Sequence, residues 1–203
     1  MLKLTLSFDS HTAAIESSAC SLAVARRLLR QTANAMSVRI VLESQHGKVD
    51  ARFVALSLAV LNGVGVDTLA LVTDLACYLT AHMAVEEELL YPIVGGAKRD
   101  TVLTNCDEHA LLAFGLTRLM TADIRHASFT EKVTAVRELF DCHAADEERD
   151  LSASVTSALG YGESRALARK LDLRFEELLA MGYPACRYAA GRDARIASRL
   201  VHV

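Results

Sequence analysis

Between residues 37 and 159 the apolar positions recur at alternating steps of three and four, the spacing that keeps one stripe of a helix turned toward a core. One run is Leu42, His46, Val49, Phe53, Leu56, Val60, and the next is Val72, Leu75, Leu79, His82, Glu86, Leu89. A third is Val102, Cys106, His109, Leu112, Leu116, Leu119, and a fourth is Val133, Val136, Phe140, His143, Glu147, Leu151. Punctuation between the runs predicts helices over about 37–61, from Asp67 or Thr68 to Leu90, from Asp100 or Thr101 to about Thr121, and from Ser128 to about Leu159. The breaks are "NGVGVD", Tyr91-Pro92 followed by "VGGAK", and "ADIRHAS". Ser128 with Glu131 has capping-box spacing. Further helical runs flank these four, at about 10–33 with Ile15, Ala19, Leu22 and Leu29 on one face, and from "GYGES" to near Gly182. The expected fold class is therefore all-α: an antiparallel up-down four-helix bundle over 37–159, an N-terminal helical extension over 1–36, and a C-terminal helix with a basic tail over 160–203.

Each of the four seams gives one core position to a histidine, and two of them give the next core position to a glutamate. The two "HxxxE" pairs, His82/Glu86 and His143/Glu147, stand 61 residues apart. A lone histidine precedes each pair, His46 by 36 residues and His109 by 34. Two helical hairpins related by an approximate twofold axis would produce this repeat.

Loop positions fix the depth of these residues. In an up-down bundle, residues equidistant from a connection lie at one level. His46 and His82 are centred on residue 64, His109 and His143 on residue 126, and His82 and His109 on the "VGG" connection. All four imidazoles are thus expected in one layer. Glu86 and Glu147 lie one turn away, about 6 Å along their helices.

Such a layer cannot be an ordinary apolar core, because a buried charge costs several kcal/mol unless it is paired or binds a metal. Two ions could each take two imidazole nitrogens and share the carboxylates as bridges, a nitrogen and oxygen set suited to iron ahead of manganese or zinc. The candidate metal ligands are His46, His82, Glu86, His109, His143 and Glu147. Glu87, Glu88 and Glu148 read as solvated outer-face residues, and Tyr78 and Tyr91 as neighbours whose placement the sequence leaves open. His11, His126 and His202 fall outside the layer.

Composition narrows the classes that remain. A net charge of −3 offers nothing to attract nucleic acid or an anionic membrane. No stretch of 18 uninterrupted apolar residues occurs, and the start "MLKLTLSFDSH" makes a poor signal peptide. Five scattered cysteines without a CxxC motif suit reduced thiols and a cytoplasmic location. There is no Gly-rich phosphate loop and no GxSxG, so no larger organic substrate is indicated.

With its "ESQHGKVDARF", "HMAVEEELLYP", "DEHALLAFGL" and "HAADEERDL" segments, the chain resembles the hemerythrin-like, or HHE cation-binding, family over about 37–159. The resemblance implies a non-haem di-iron centre held by the four histidines and bridged by Glu86 and Glu147. It implies reaction with, or sensing of, O2, NO or peroxide in an iron or redox-stress role. Oxygen-carrying hemerythrins have a second histidine four residues after the third-helix one, where this chain has Ala113, and an aspartate five residues after the last histidine, where Glu147 stands at four. The chain is more similar to the bacterial branch that includes iron–sulfur-cluster repair proteins. The flanking helices would cover the bundle or form a homodimer contact. Two alternatives are a non-enzymatic cation-binding or sensory module, with the basic tail as output, and a ferritin-like di-iron oxidase or iron store, for which "ESQH" at Glu43 to His46 supplies one ExxH motif.

Overall fold

The computed structural model describes residues 37–182 apart from 64 and 97, and among them all regular structure is helical. The expected extension over 1–36 and the basic tail beyond 182 lie outside the described residues. Helix α1 spans Val38–Leu61 and is opened by Ser37, whose Oγ accepts the Ile40 N–H at 3.3 Å. It closes at Asn62-Gly63, where Gly63 adopts a φ of 99° that a side chain would resist.

Helix α2, Val66–Val85, begins at Gly65 rather than at Asp67 or Thr68; Thr68 acts from inside, its Oγ1 accepting the Gly65 N–H at 3.2 Å. Nor does this helix stop before Pro92. It widens into a π turn over Glu86–Leu90, in which the Tyr91 N–H bonds to the Glu86 carbonyl five residues back, and continues as the short α3, Tyr91–Val94. Pro92 has no N–H, and its ring would meet a carbonyl of a regular preceding turn; the wider turn moves those carbonyls aside. The extra residue also rotates the seam. Leu90, Tyr91 and Val94 are buried, whereas Leu89, the expected core position, is only half-buried.

Helix α4 spans Arg99–Met120 and α5 spans Ser128–Ala158. The anticipated Ser128–Glu131 capping box does not form: Ala127 is the cap, and Ser128 Oγ lies 2.8 Å from His126 Nδ1. Helix α6 is Tyr161–Met181.

Helix α1 packs on α2 and α5, and α4 packs on α5 and α2, so the four neighbours form a closed ring. Inside it, Phe53, Leu56, Leu75, Leu79, Leu112, Leu116, Leu119 and Phe140 make a continuous apolar core below the histidine layer. Helices α4 and α5 come closest at Gly115, where an added Cβ would sit 2.8 Å from Val136 Cγ2. Helix α6 lies against α1 and α2 and is tied to α1 by Lys48–Glu176 at 2.6 Å and to the π turn by Arg174–Glu88 at 2.9 Å. Its Phe175 packs edge-on against Tyr78, whose ring also carries the Arg52 guanidinium at 3.4 Å.

The stretch Asp67–Val94 is long and apolar enough to cross a membrane by length and composition. Most of it is buried within the bundle, and its apolar character is accounted for by that burial.

Candidate metal centre

The six candidate ligands converge. His46, His82, Glu86, His109, His143 and Glu147 are each no more than 5% exposed, deep among apolar side chains. Ligand atoms of His46, His82, Glu86, His143 and Glu147 lie within 4.8 Å of one another. His109 stands at the edge of that set, its Nε2 3.3 Å from Glu86 Oε2 and 3.3 Å from His143 Nε2. The helical phase explains the convergence: i, i+4 spacing stacks His82 over Glu86 and His143 over Glu147 on inward faces.

Each imidazole is held from behind through Nδ1. The partners are Glu148 for His46 at 2.7 Å, Gln45 for His82 at 3.3 Å, Glu87 for His109 at 2.8 Å and Glu108 for His143 at 3.0 Å. With Nδ1 turned outward, the Nε2 atoms of His46, His109 and His143 face the interior carboxylates. His46 Nε2 lies 3.3 Å from Glu147 Oε2, and His143 Nε2 lies 3.8 Å from both Glu86 Oε2 and Glu147 Oε2. His82 Nε2, Glu86 Oε1 and Glu147 Oε1 are buried with no hydrogen-bond partner. Glu86 Oε1 does approach His82 Nδ1 at 3.2 Å, but off the hydrogen-bonding direction. Buried lone pairs left this way are costly in a metal-free core and are what a cation would satisfy. The donor set therefore fits a metal.

Electrostatics point the same way. Burial and the charge of Glu147 push Glu86 up to about 8, so one of the two facing carboxyls holds a proton at neutral pH. Burial works to raise Glu147 too, but the hydrogen bond from His46 and the charge of His143 bring it below its ordinary value. Burial works to lower His46 and His109, yet their carboxylate partners prevail and hold them at about 9 and about 10. At His82 and His143 burial prevails: with their cationic neighbours it presses His82 well down and, against the pull of Glu147, His143 to about 3. Like charges crowded together out of water are what a bound cation, replacing protons, would reconcile.

The family model for the hemerythrin HHE cation binding domain matches residues 37–153, more than half of the chain. The chain belongs to the hemerythrin HHE cation-binding family. Its fold is similar to that of a solved structure from Mycobacterium kansasii, a hemerythrin HHE cation binding domain-containing protein, with a TM-score of 0.63 and 20% identity over 77% of this chain and 98% of that one. A comparison with curated proteins finds no match.

Several residues of this hemerythrin-like site were not legible as such in the sequence. Glu87 and Glu148, read as solvated, each back a histidine of the opposite hairpin. Gln45 and Glu108 back histidines of their own hairpin, and nothing singled them out except that each precedes a lone histidine. Tyr91 is buried, donates to Glu86 Oε2 at 3.1 Å and stacks on the His109 ring. Glu88 does turn outward, to Arg174. Tyr78 belongs to the α6 contact, and His126 is exposed in a turn. Glu43, half of the ExxH motif, pairs with Arg39 on the outer face at 2.6 Å, where it cannot serve a ferritin-like centre.

Proposed function

We propose that this chain is a hemerythrin-like non-haem di-iron protein that reacts with or senses O2, NO or peroxide, in an iron or redox-stress role in the cytoplasm. The observation that carries the reading is the orientation of the histidines: four Nδ1 atoms held from behind, and the Nε2 atoms of His46, His109 and His143 facing two buried carboxylates. His46, His82, His109 and His143 would supply the nitrogen ligands, and Glu86 and Glu147 the bridging oxygens, within an up-down four-helix bundle flanked by additional terminal helices. The nitrogen and oxygen donor set favours iron over manganese or zinc. A bound pair of ions would supply Lewis acidity and one-electron redox change at a position open to a small ligand.

The chain's own part is to hold and to exclude. The outer carboxylates of Glu148, Glu87 and Glu108 orient the His46, His109 and His143 imidazoles and raise their basicity, and the Gln45 amide orients that of His82. Phe140, its ring 5.9 Å from that of His46 and 6.3 Å from that of His82, closes the layer on its apolar side and keeps water from the carboxylates. Tyr91 orients Glu86 from the other side. Such a donor set suits a diatomic molecule or peroxide, and no groups among the described residues of the site are arranged for a larger substrate.

Metal content of freshly purified protein, measured by mass spectrometry with optical spectra before and after dithionite, tests this reading. About two irons per chain, with a near-ultraviolet shoulder that bleaches on reduction, is the expected result. No iron, or a single zinc, would shift the function to a cation-binding or sensory module.

A further inference from the structure

The internal repeat extends beyond the six ligands to the residues behind them. The residue after each motif glutamate backs the lone histidine of the other hairpin: Glu87 holds His109 at 2.8 Å, and Glu148 holds His46 at 2.7 Å. The residue before each lone histidine backs the HxxxE histidine of its own hairpin: Gln45 holds His82 at 3.3 Å, and Glu108 holds His143 at 3.0 Å. The twofold relation is thus kept in position at all four outer contacts. In chemistry it is broken at one, where an amide stands opposite a carboxylate.

The imidazoles also fall into two pairs. The rings of His46 and His82 are 4.7 Å apart and those of His109 and His143 are 4.8 Å apart, while those of His46 and His143, His82 and His109, and His82 and His143 are 5.8 to 6.5 Å apart. One pair is therefore backed by a carboxylate and a neutral amide, the other by two carboxylates. A carboxylate behind an Nδ1–H draws the proton outward, makes Nε2 the stronger donor and adds a negative charge near the cation; an amide does the first weakly and the second not at all. Gln45 is fully buried, and its Nε2 has no hydrogen-bond partner.

From this we infer that Gln45 makes the two metal positions unequal, the one on His46 and His82 binding a divalent cation more weakly than the one on His109 and His143, so that the site fills in two steps. The inference rests on the two-metal reading above. Gln45 and Glu108 act as positioning residues, through the histidines they hold. Exchange of such a group typically changes metal affinity about ten- to a hundredfold, and a separation of that size is expected between the steps.

The test is titration of the metal-free full-length protein with Co²⁺, followed by calorimetry and by the visible bands of the bound ion. Wild type should show two ions entering in separated steps. Glu108→Gln, at a partly solvent-exposed side chain, should weaken the first step and bring the two together at the lower affinity. Gln45→Glu should bring them together at the higher affinity, circular dichroism confirming that the variant is folded; should it not fold, Glu108→Gln decides alone. Two ions bound with equal affinity in wild type, or steps still separated in Glu108→Gln, would overturn the inference and leave the two-metal reading intact. Fewer than two ions in wild type would overturn both.

Discussion

Tyr91 donates its hydroxyl proton to Glu86 at 3.1 Å across the π turn that separates them. Burial, and after it the charge of Glu86, push the phenol well above its ordinary pKa, so it remains a donor at every working pH. The wider turn makes this contact possible: Glu86 and Tyr91 are five residues apart, a spacing at which a regular helix separates side chains. Tyr91→Phe should destabilise the metal-free protein by about 1–3 kcal/mol, because a buried carboxyl oxygen loses one of its two donors, the other being His109. Urea unfolding of the metal-free variant measures this, and an unchanged midpoint would show that Glu86 finds a replacement.

Metal loading should release protons. At pH 7 the metal-free site retains protons on His46, held at about 9, His109, at about 10, and Glu86, at about 8, and all three must be given up to bind a cation. Affinity should therefore rise with pH from neutral toward about 10. The stability of the metal-free form should run the other way. Each of these three groups has a folded pKa above its unfolded one, so its contribution is full below the unfolded value and is lost as pH rises through the folded one. His143, at about 3, has the opposite sign and costs stability as pH falls below its ordinary value of 6.5. Adding Co²⁺ in weak buffer with an indicator dye counts the protons; uptake instead of release would contradict the assignment.

Adjacent glutamates should behave differently. Glu87→Gln removes the carboxylate behind His109 and should weaken metal binding about ten- to a hundredfold. Glu88→Gln removes only one of the two carboxylate partners of Arg174 on α6, a partly exposed pair worth less than about 1 kcal/mol, and should leave affinity unchanged. Equilibrium dialysis of the two variants side by side settles the contrast.

Replacing His82 or Glu86 by alanine should remove metal altogether and leave buried partners uncompensated. The loss of folding stability should be about 3–5 kcal/mol relative to the loaded protein. A variant that kept both full metal content and its melting temperature would be incompatible with the ligand assignment.

Gly115→Ala pits helix propensity, which favours alanine by about 1 kcal/mol, against the collision with Val136 Cγ2 at 2.8 Å. A β-branched side chain held between two helices has little room to turn, so overpacking should prevail and the protein should lose about 1 kcal/mol net. Combining it with Val136→Ala should cost less than the sum of the two single changes, which a thermal-denaturation cycle detects.

The sequence by itself determined the helices and the depth of the site. Periodicity of three and four is a local property, and a helix turns it into a face whatever the partner, which is why His46, His82, His109 and His143 could be placed in seams and aligned by their distances from three loops. The HxxxE spacing likewise makes neighbours within one helix. Residues at the margins were settled only by tertiary structure, because their side chains leave the helix toward a neighbour and not toward its own core. Glu87, Glu88 and Glu148 look alike in sequence, yet two face histidines of other helices and one faces Arg174. Gln45 and Glu108 are ordinary polar residues until a second helix brings an imidazole to them. The π turn was equally hidden, since Pro92 can end a helix or be accommodated by one, and packing of Leu90 and Tyr91 into the core selects the second outcome.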